Sequence, residues 1–305
     1  MVRVVVISTA IVMLLGLAEL ATRKTFPQIF GFNFVSDQFS TREIRLRGSS
    51  IRTQSVFYHP IVYGQYLAWA TPLLIWSALR ENSRIIRLFS LACLIALPIA
   101  VLSTGSRAGL LGVGVSAIAF AVLAAVRRTG AQSIAIIAGL ASIVLLGSAI
   151  ASDSDTLVGR LIAGRNSAEA ESTRWRNEMV QSGLAEAAFS PVVGYGDGRS
   201  PFHAGGFRGP NGAATIDSTY LSSILDSGWV GLFFLVTTWG SIIAAALINV
   251  SGRNGLLIDA AIGAGVLALA MTFSIVSITD NYSLFFISIA MISGSRAIAN
   301  RVNTK

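Results

Sequence analysis

The chain has 305 residues, 53% of them hydrophobic and 12% charged, with a formal net charge of +8 and a mean hydropathy of +0.67. Soluble domains carry about 25% charged residues, so the composition argues against a soluble protein, and no basic soluble segment exists to bind nucleic acid. The one cysteine, Cys93, lies in an apolar run, and no Cys/His spacing suggests a disulfide framework or a metal site.

A helix needs about 20 apolar residues to cross a bilayer core. Eight stretches approach that length: 2–21, 56–79, 88–103, 107–126, 132–151, 219–249, 257–278 and 282–298. None alternates as a membrane β-barrel strand would. The expected fold is therefore all-α, a polytopic membrane bundle of about eight spans, with 1–305 as a single membrane domain. The first run follows Arg3 as a secretion signal would. It is long for a signal, however, and no small-residue cleavage site follows, so it reads as a retained span.

Loops at one side, "RENSRIIR" (80–87), "RRTGAQ" (127–132) and "SGRNG" (251–255), are basic, as is the tail. The positive-inside rule makes that side cytoplasmic. Two longer polar segments, 22–55 and 152–218, then fall outside, the second as a large periplasmic loop. Of the 23 basic residues, 21 are Arg, and 13 of the 23 lie outside when Arg107 is counted. A solvated loop surface and an anion-binding site both fit this excess. The planar fork of arginine matches two phosphate oxygens, while a codon bias toward arginine fits equally well.

In the large loop a helix is expected from Glu171 or Ser172 to about Phe189, ended by Pro191. Trp175, Met179, Leu184 and Ala188 would form an apolar stripe lying on the membrane surface. The "GYGDG" turn that follows (194–198) can cradle phosphate on backbone N–H groups or be a plain turn. It follows no strand, so it is not a dinucleotide fingerprint.

Four outer-side motifs stand in order: "RLRGSSIRTQSVFYHP" (45–60), "STGSRAG" (103–109), "ESTRWRNEM…SPVVGYGDG" and "IDSTYLSSILDSGWVG" (216–231). This order resembles the O-antigen ligase and polysaccharide polymerase superfamily of bacterial inner membranes. The matching residues are Gly48, His59 and Pro60; Ser103, Thr104, Ser106, Arg107 and Ala108; Arg174, Trp175, Pro191, Gly194 and Gly196; and Tyr220, Leu221, Gly228 and Gly231. Members often have ten or more spans, and Ile61 stands where the family carries Asn.

The resemblance implies a metal- and cofactor-independent glycosyltransferase at the periplasmic face of the inner membrane. Its donor would be an undecaprenyl-diphosphate-linked oligosaccharide. Membrane lipid, a flippase and a chain-length regulator would be its partners. Arg107, at a helix start where the dipole also favours an anion, and Arg174 would stabilise the departing diphosphate. Ser103, Thr104 and Ser106 would let it approach, Gly194, Gly196 and Tyr220 would line the substrate path, and Arg45, Arg47 and Arg52 would contact phosphates. Asp217 stands where ligases carry His and would be the general base. His203 is the alternative base, and His59 reads as a structural or headgroup contact. Asp217-Ser218 in place of His-Asn favours a polymerase over a ligase. A carrier of lipid-linked sugars or small anions and a non-catalytic assembly partner are the rival classes; the nearly charge-free spans argue against the carrier.

Overall fold

The computed structural model describes residues 1–31, 45–47, 50–126, 167–204, 216–251, 257–274 and 279–303. Helices dominate. They are α1 (Val2–Thr22), α2 (Phe26–Phe30), α3 (Pro60–Arg80), α4 (Arg84–Ser103), α5 (Arg107–Val126), α6 (Ser167–Ala187), α7 (Ser200–His203), α8 (Thr219–Ser251), α9 (Leu257–Thr272) and α10 (Ser283–Asn303). A short antiparallel hairpin, β1 (Arg45–Arg47) and β2 (Ser50–Arg52), sets Arg45 opposite Arg52 and Arg47 opposite Ser50. The protein is an all-α membrane bundle, as expected. By length and composition Val2–Thr22, Arg84–Ser103, Arg107–Ala124 and Thr219–Asn249 can cross a membrane. The fifth expected span, 132–151, lies outside the described residues.

Helix α3 is the axis of the bundle. Fifteen of its 21 residues are buried, which explains how it tolerates polar side chains: neighbouring helices supply their partners. Gln65 Nε2 donates to Thr272 Oγ1 at 3.2 Å, and Asn281 Nδ2 donates to Gln65 Oε1 at 3.1 Å and to the Val62 carbonyl at 3.0 Å. Trp69 Nε1 donates to Ser288 Oγ. Asn281 is thus buried in the core. Between apolar helices close packing replaces the hydrophobic drive. A Cβ on Gly109 would stand 2.8 Å from Gly64 Cα, and one on Gly265 would stand 2.7 Å from the Trp69 carbonyl oxygen. Backbones of α3, α5 and α9 therefore touch.

Two expected spans change shape. The seventh stops at Thr272, where residues 273 and 274 turn. The sixth is not one long helix: Gly228 sits at φ 67°, ψ −168°, a conformation that favours glycine. The chain folds back there. Tyr220 and Trp239, 19 positions apart, have ring centroids 5.2 Å apart, whereas a straight helix would separate them by about 28 Å. Helix α8 is therefore a hairpin of two limbs, 219–227 and 229–251.

At the end of α1 a buried carboxylate organises the entry to α3. Glu19 accepts from the amides of Phe26 at 3.0 Å, Gln54 at 2.9 Å and Ser55 at 2.8 Å. His59 caps α3, its Nδ1 accepting from the Ile61 amide at 3.1 Å, which confirms its structural role. Replacing Glu19 by Ala strands three amides, each costing about 1–3 kcal/mol. The Glu19→Ala variant is expected to melt well below wild type in detergent, and an unchanged melting temperature would remove Glu19 from this role.

Candidate functional site

The expected site residues cluster at the bundle end that carries the α4–α5 turn, the start of α3 and the start of α8. The turn itself, Thr104-Gly105-Ser106, is built by its hydroxyls. Ser103 Oγ donates to the Ala100 carbonyl and lies 2.6 Å from Thr53 Oγ1. Thr104 Oγ1 donates to the Val101 carbonyl and accepts from the Ser106 amide. Ser106 Oγ caps α5 by accepting from the Gly109 amide at 3.1 Å. All three residues are buried. Inside a low-dielectric bundle a hydroxyl must find a partner: the Ser103 and Thr104 hydroxyls donate to carbonyls at the end of α4, and the Ser106 oxygen accepts at the start of α5.

Two arginines flank this turn. Arg52 Nε donates to the Thr104 carbonyl at 2.9 Å, and its side chain covers Gly105, which turns at φ 59°. A cation thus sits against the negative end of α4. Arg107 opens α5 with its Nε and Nη2 atoms buried, at the positive end of that helix.

Helix α6 carries the second part of the site. Its buried stripe is Met179, Gly183 and Ala187, while Trp175 and Leu184 of the expected membrane-surface stripe are exposed. The buried stripe faces the first limb of α8 rather than lipid: a Cβ on Gly183 would meet Leu221 Cδ2 at 2.9 Å. This rotation decides which arginine meets the candidate base. Arg176, three positions before Met179, donates from Nε to Asp217 Oδ2 at 3.2 Å, with both side chains partly exposed. The Asp217 amide also points to Met179 Sδ at 3.4 Å. Arg174, the expected partner of the diphosphate, lies elsewhere. It pairs with Glu178 on its own helix and is 74% exposed, a solvated pair worth little. The i, i+3, i+7, i+11 spacing of Arg176, Met179, Gly183 and Ala187 was the signal available in the sequence.

The glycine-rich turn closes onto the α8 hairpin. The Gly194 amide donates to the Ser190 carbonyl, Tyr195 to Leu225 at 2.7 Å and Gly196 to Asp226 at 2.9 Å, while Trp229 donates back to Pro191 at 2.8 Å. Gly194 and Gly228 both have positive φ, and a Cβ on either would collide with the other segment's backbone. Of the two readings of this turn, phosphate cradle or plain turn, the structure shows the second: the Gly194 amide is engaged within the turn, and the Tyr195 and Gly196 amides by carbonyls of the broken helix. Tyr220 is likewise engaged, its hydroxyl donating to the Ala270 carbonyl at 2.7 Å. Asp226 accepts from the Ser200 amide at 2.6 Å and from the Ser200 and Ser222 hydroxyls, so it caps α7. His203 Nδ1 lies 3.0 Å from Glu186 Oε1, and its ring stacks on Tyr195 at 3.7 Å. Partial burial and the nearby Glu186 carboxylate push the Tyr195 phenol up, which keeps it a donor to the Glu186 carbonyl.

The two parts share one end of the bundle. A Cβ on Gly112, five residues along α5 from Arg107, would meet Thr272 Cγ2 at 2.9 Å. The next residue, Phe273, accepts from the amide of Thr219, two residues after Asp217, at 3.0 Å. The start of α8 thus packs near the level of Gly112, about 7.5 Å along α5 from Arg107. Among the described residues no three His, Cys, Asp or Glu side chains gather as a metal would need.

A polytopic helical membrane protein with arginines and a carboxylate at one end is the class that fold and site define. Residues 91–236 match the family model described as O-Antigen ligase. Over this stretch the chain is similar to the O-antigen ligase family, whose members are ligase- and polymerase-type glycosyltransferases. The matched stretch contains the α4–α5 turn, α6, Asp217 and the Gly228 break; the 45–60 motif lies before it. No curated protein matches the chain.

If Arg176 holds Asp217 to α6, Arg176→Ala is expected to raise amide hydrogen exchange across 216–221, and Arg174→Ala to leave it unchanged. Equal effects of the two substitutions would show that the pair does not organise this segment.

Proposed function

We propose that the protein is a polysaccharide polymerase of the bacterial inner membrane. It transfers glycan from undecaprenyl diphosphate to a sugar hydroxyl at the periplasmic face, in exopolysaccharide, capsule or O-antigen assembly. The observation that carries this reading is the Asp217–Arg176 pair lying at the same bundle end as Arg107, within the family domain.

The acceptor hydroxyl attacks the anomeric carbon. Its proton passes to Asp217, whose Oδ2 is held by Arg176, so that the second carboxylate oxygen, Oδ1, meets the acceptor. The bond from the anomeric carbon to the diphosphate oxygen breaks, and the diphosphate leaves with its negative charge. Arg107 at the positive end of α5 stabilises that charge, and a partly dry setting strengthens the contact. Arg52, beside the same turn, adds to the local positive potential. No metal enters this scheme. Asp217-Ser218, where ligases carry His-Asn, favours a sugar hydroxyl over lipid A-core as the acceptor. The donor would arrive through a flippase, and a chain-length regulator would set product length.

The test uses purified protein with lipid-linked repeat units from the host. Wild type is expected to build a ladder of lipid-linked glycan. Asp217→Asn should lower the rate by about 10²–10⁴ and Arg107→Ala by about 10²–10³, while Arg174→Ala stays near wild type. Transfer only when lipid A-core is added would replace polymerase with ligase. Lipid-linked sugar bound without any transfer would overturn the enzymatic reading in favour of a carrier or a non-catalytic partner.

A further inference from the structure

The stretch 187–196, "AAFSPVVGYG", carries no charge, and neither does 227–249. In the folded chain these two stretches meet at the tip of the α8 hairpin, through the bonds from Trp229 to Pro191 and from Val230 to Val192. Large apolar side chains point away from the protein there. Phe189 is 81% exposed, Val193 71%, Val192 61% and Trp229 54%, and Phe233 and Phe234, one turn further along α8, are 64% each. This surface continues without interruption into the long limb of α8, one of the helices able to cross a membrane.

Depth along the bundle supports the same occupant. Gln65 lies five residues into α3 and bonds to Thr272 at the end of α9, so α9 ends about 7.5 Å below the start of α3. Trp239 stacks on Phe273 and Phe285 at that level. Trp229 is ten residues further along the long limb, about 15 Å, and so stands just beyond the starts of α3 and α5. That is the zone where aromatic side chains meet headgroups. Part of the turn's backbone is satisfied within the protein, which lowers the cost of entering such a zone: the Pro191 and Val192 carbonyls and the Gly194 amide and carbonyl are hydrogen-bonded.

We propose that the 189–193 turn inserts into the bilayer interface beside Trp229 and Phe233. It is a lipid-facing wedge that anchors the hairpin tip at the headgroup level. This inference rests on the membrane fold and stands whether or not the transferase reading does. It moves the lipid contact expected of α6 to the turn that follows it. Helix α6 exposes Arg174 and Glu178 beside Trp175, whereas the turn exposes no charge.

The experiment places one cysteine at Val193 in a Cys93→Ser background and labels it with a polarity-sensitive NBD fluorophore. The protein is reconstituted in phosphatidylcholine–phosphatidylglycerol nanodiscs. A parallel label at Asp197, four positions on in the same turn region, is the control. Both are exposed positions, and a melting curve of each labelled protein verifies its fold. The expected result is blue-shifted emission at Val193, quenched more by lipids with a nitroxide near the headgroup than by lipids with one near the chain end. The Asp197 label should emit as in water. Water-like emission at Val193 would overturn the wedge. So would blue-shifted emission that no nitroxide lipid quenches, because protein rather than lipid would then cover the turn.

Discussion

Two backbone segments that would each leave polar groups unsatisfied at a membrane edge satisfy one another at the break of α8. Breaking a helix at Gly228 releases amides and carbonyls on both sides of the break, and an exposed apolar turn at 190–196 has the same problem. The reciprocal hydrogen bonds between residues 191–196 and 225–230 solve both at once. They form only because Gly194 and Gly228 let the two backbones touch. In a medium without water, such exchange is the alternative to a cost of several kcal/mol per group. The remaining geometry of the site descends from it. The short limb of α8 folds back on the long one, the Thr219 amide reaches the Phe273 carbonyl, and Asp217 comes to rest under α6.

Helix ends dominate the chemistry available at this end of the bundle. The hydroxyls of Ser103, Thr104 and Ser106 close the turn between α4 and α5, and Arg52 covers its carbonyl. On the proposed function, the positive end of α5 and the charge of Arg107 are the turn's contribution to an anion. Asp217 and Arg176 come from two different elements. Their spacing therefore depends on how α6 packs on the short limb, through Met179, Gly183 and Leu221. On the proposed function, cation and carboxylate act on opposite ends of the transfer: one on the departing diphosphate, the other on the acceptor's proton.

Much of this was legible from residues alone. Composition and run lengths imply a helical membrane protein because a bilayer core sets how many apolar residues a helix must supply. The turn at 104–106 and the helix ended before Pro191 were readable because small, hydroxyl and proline residues have local conformational consequences. The motif order pointed to the family that the match at residues 91–236 supports. Less legible was the face of α6. Trp175 and Leu184 suggested one stripe by size, whereas the packed stripe uses Gly183, chosen for closeness to Leu221. Hydropathy does not register a glycine that is valuable for being small.

By itself the sequence determined the class of fold, the places where helices must stop, and the set of charged and hydroxyl side chains at one end, because each of these follows from local chemistry or from bilayer thickness. Only the tertiary structure decided that α8 turns back at Gly228, that Arg176 rather than Arg174 meets Asp217, and that the amides of residues 194–196 serve the fold. Each of those outcomes depends on residues distant in the chain approaching within hydrogen-bond reach, and periodicity within one segment carries no information about what lies across from it.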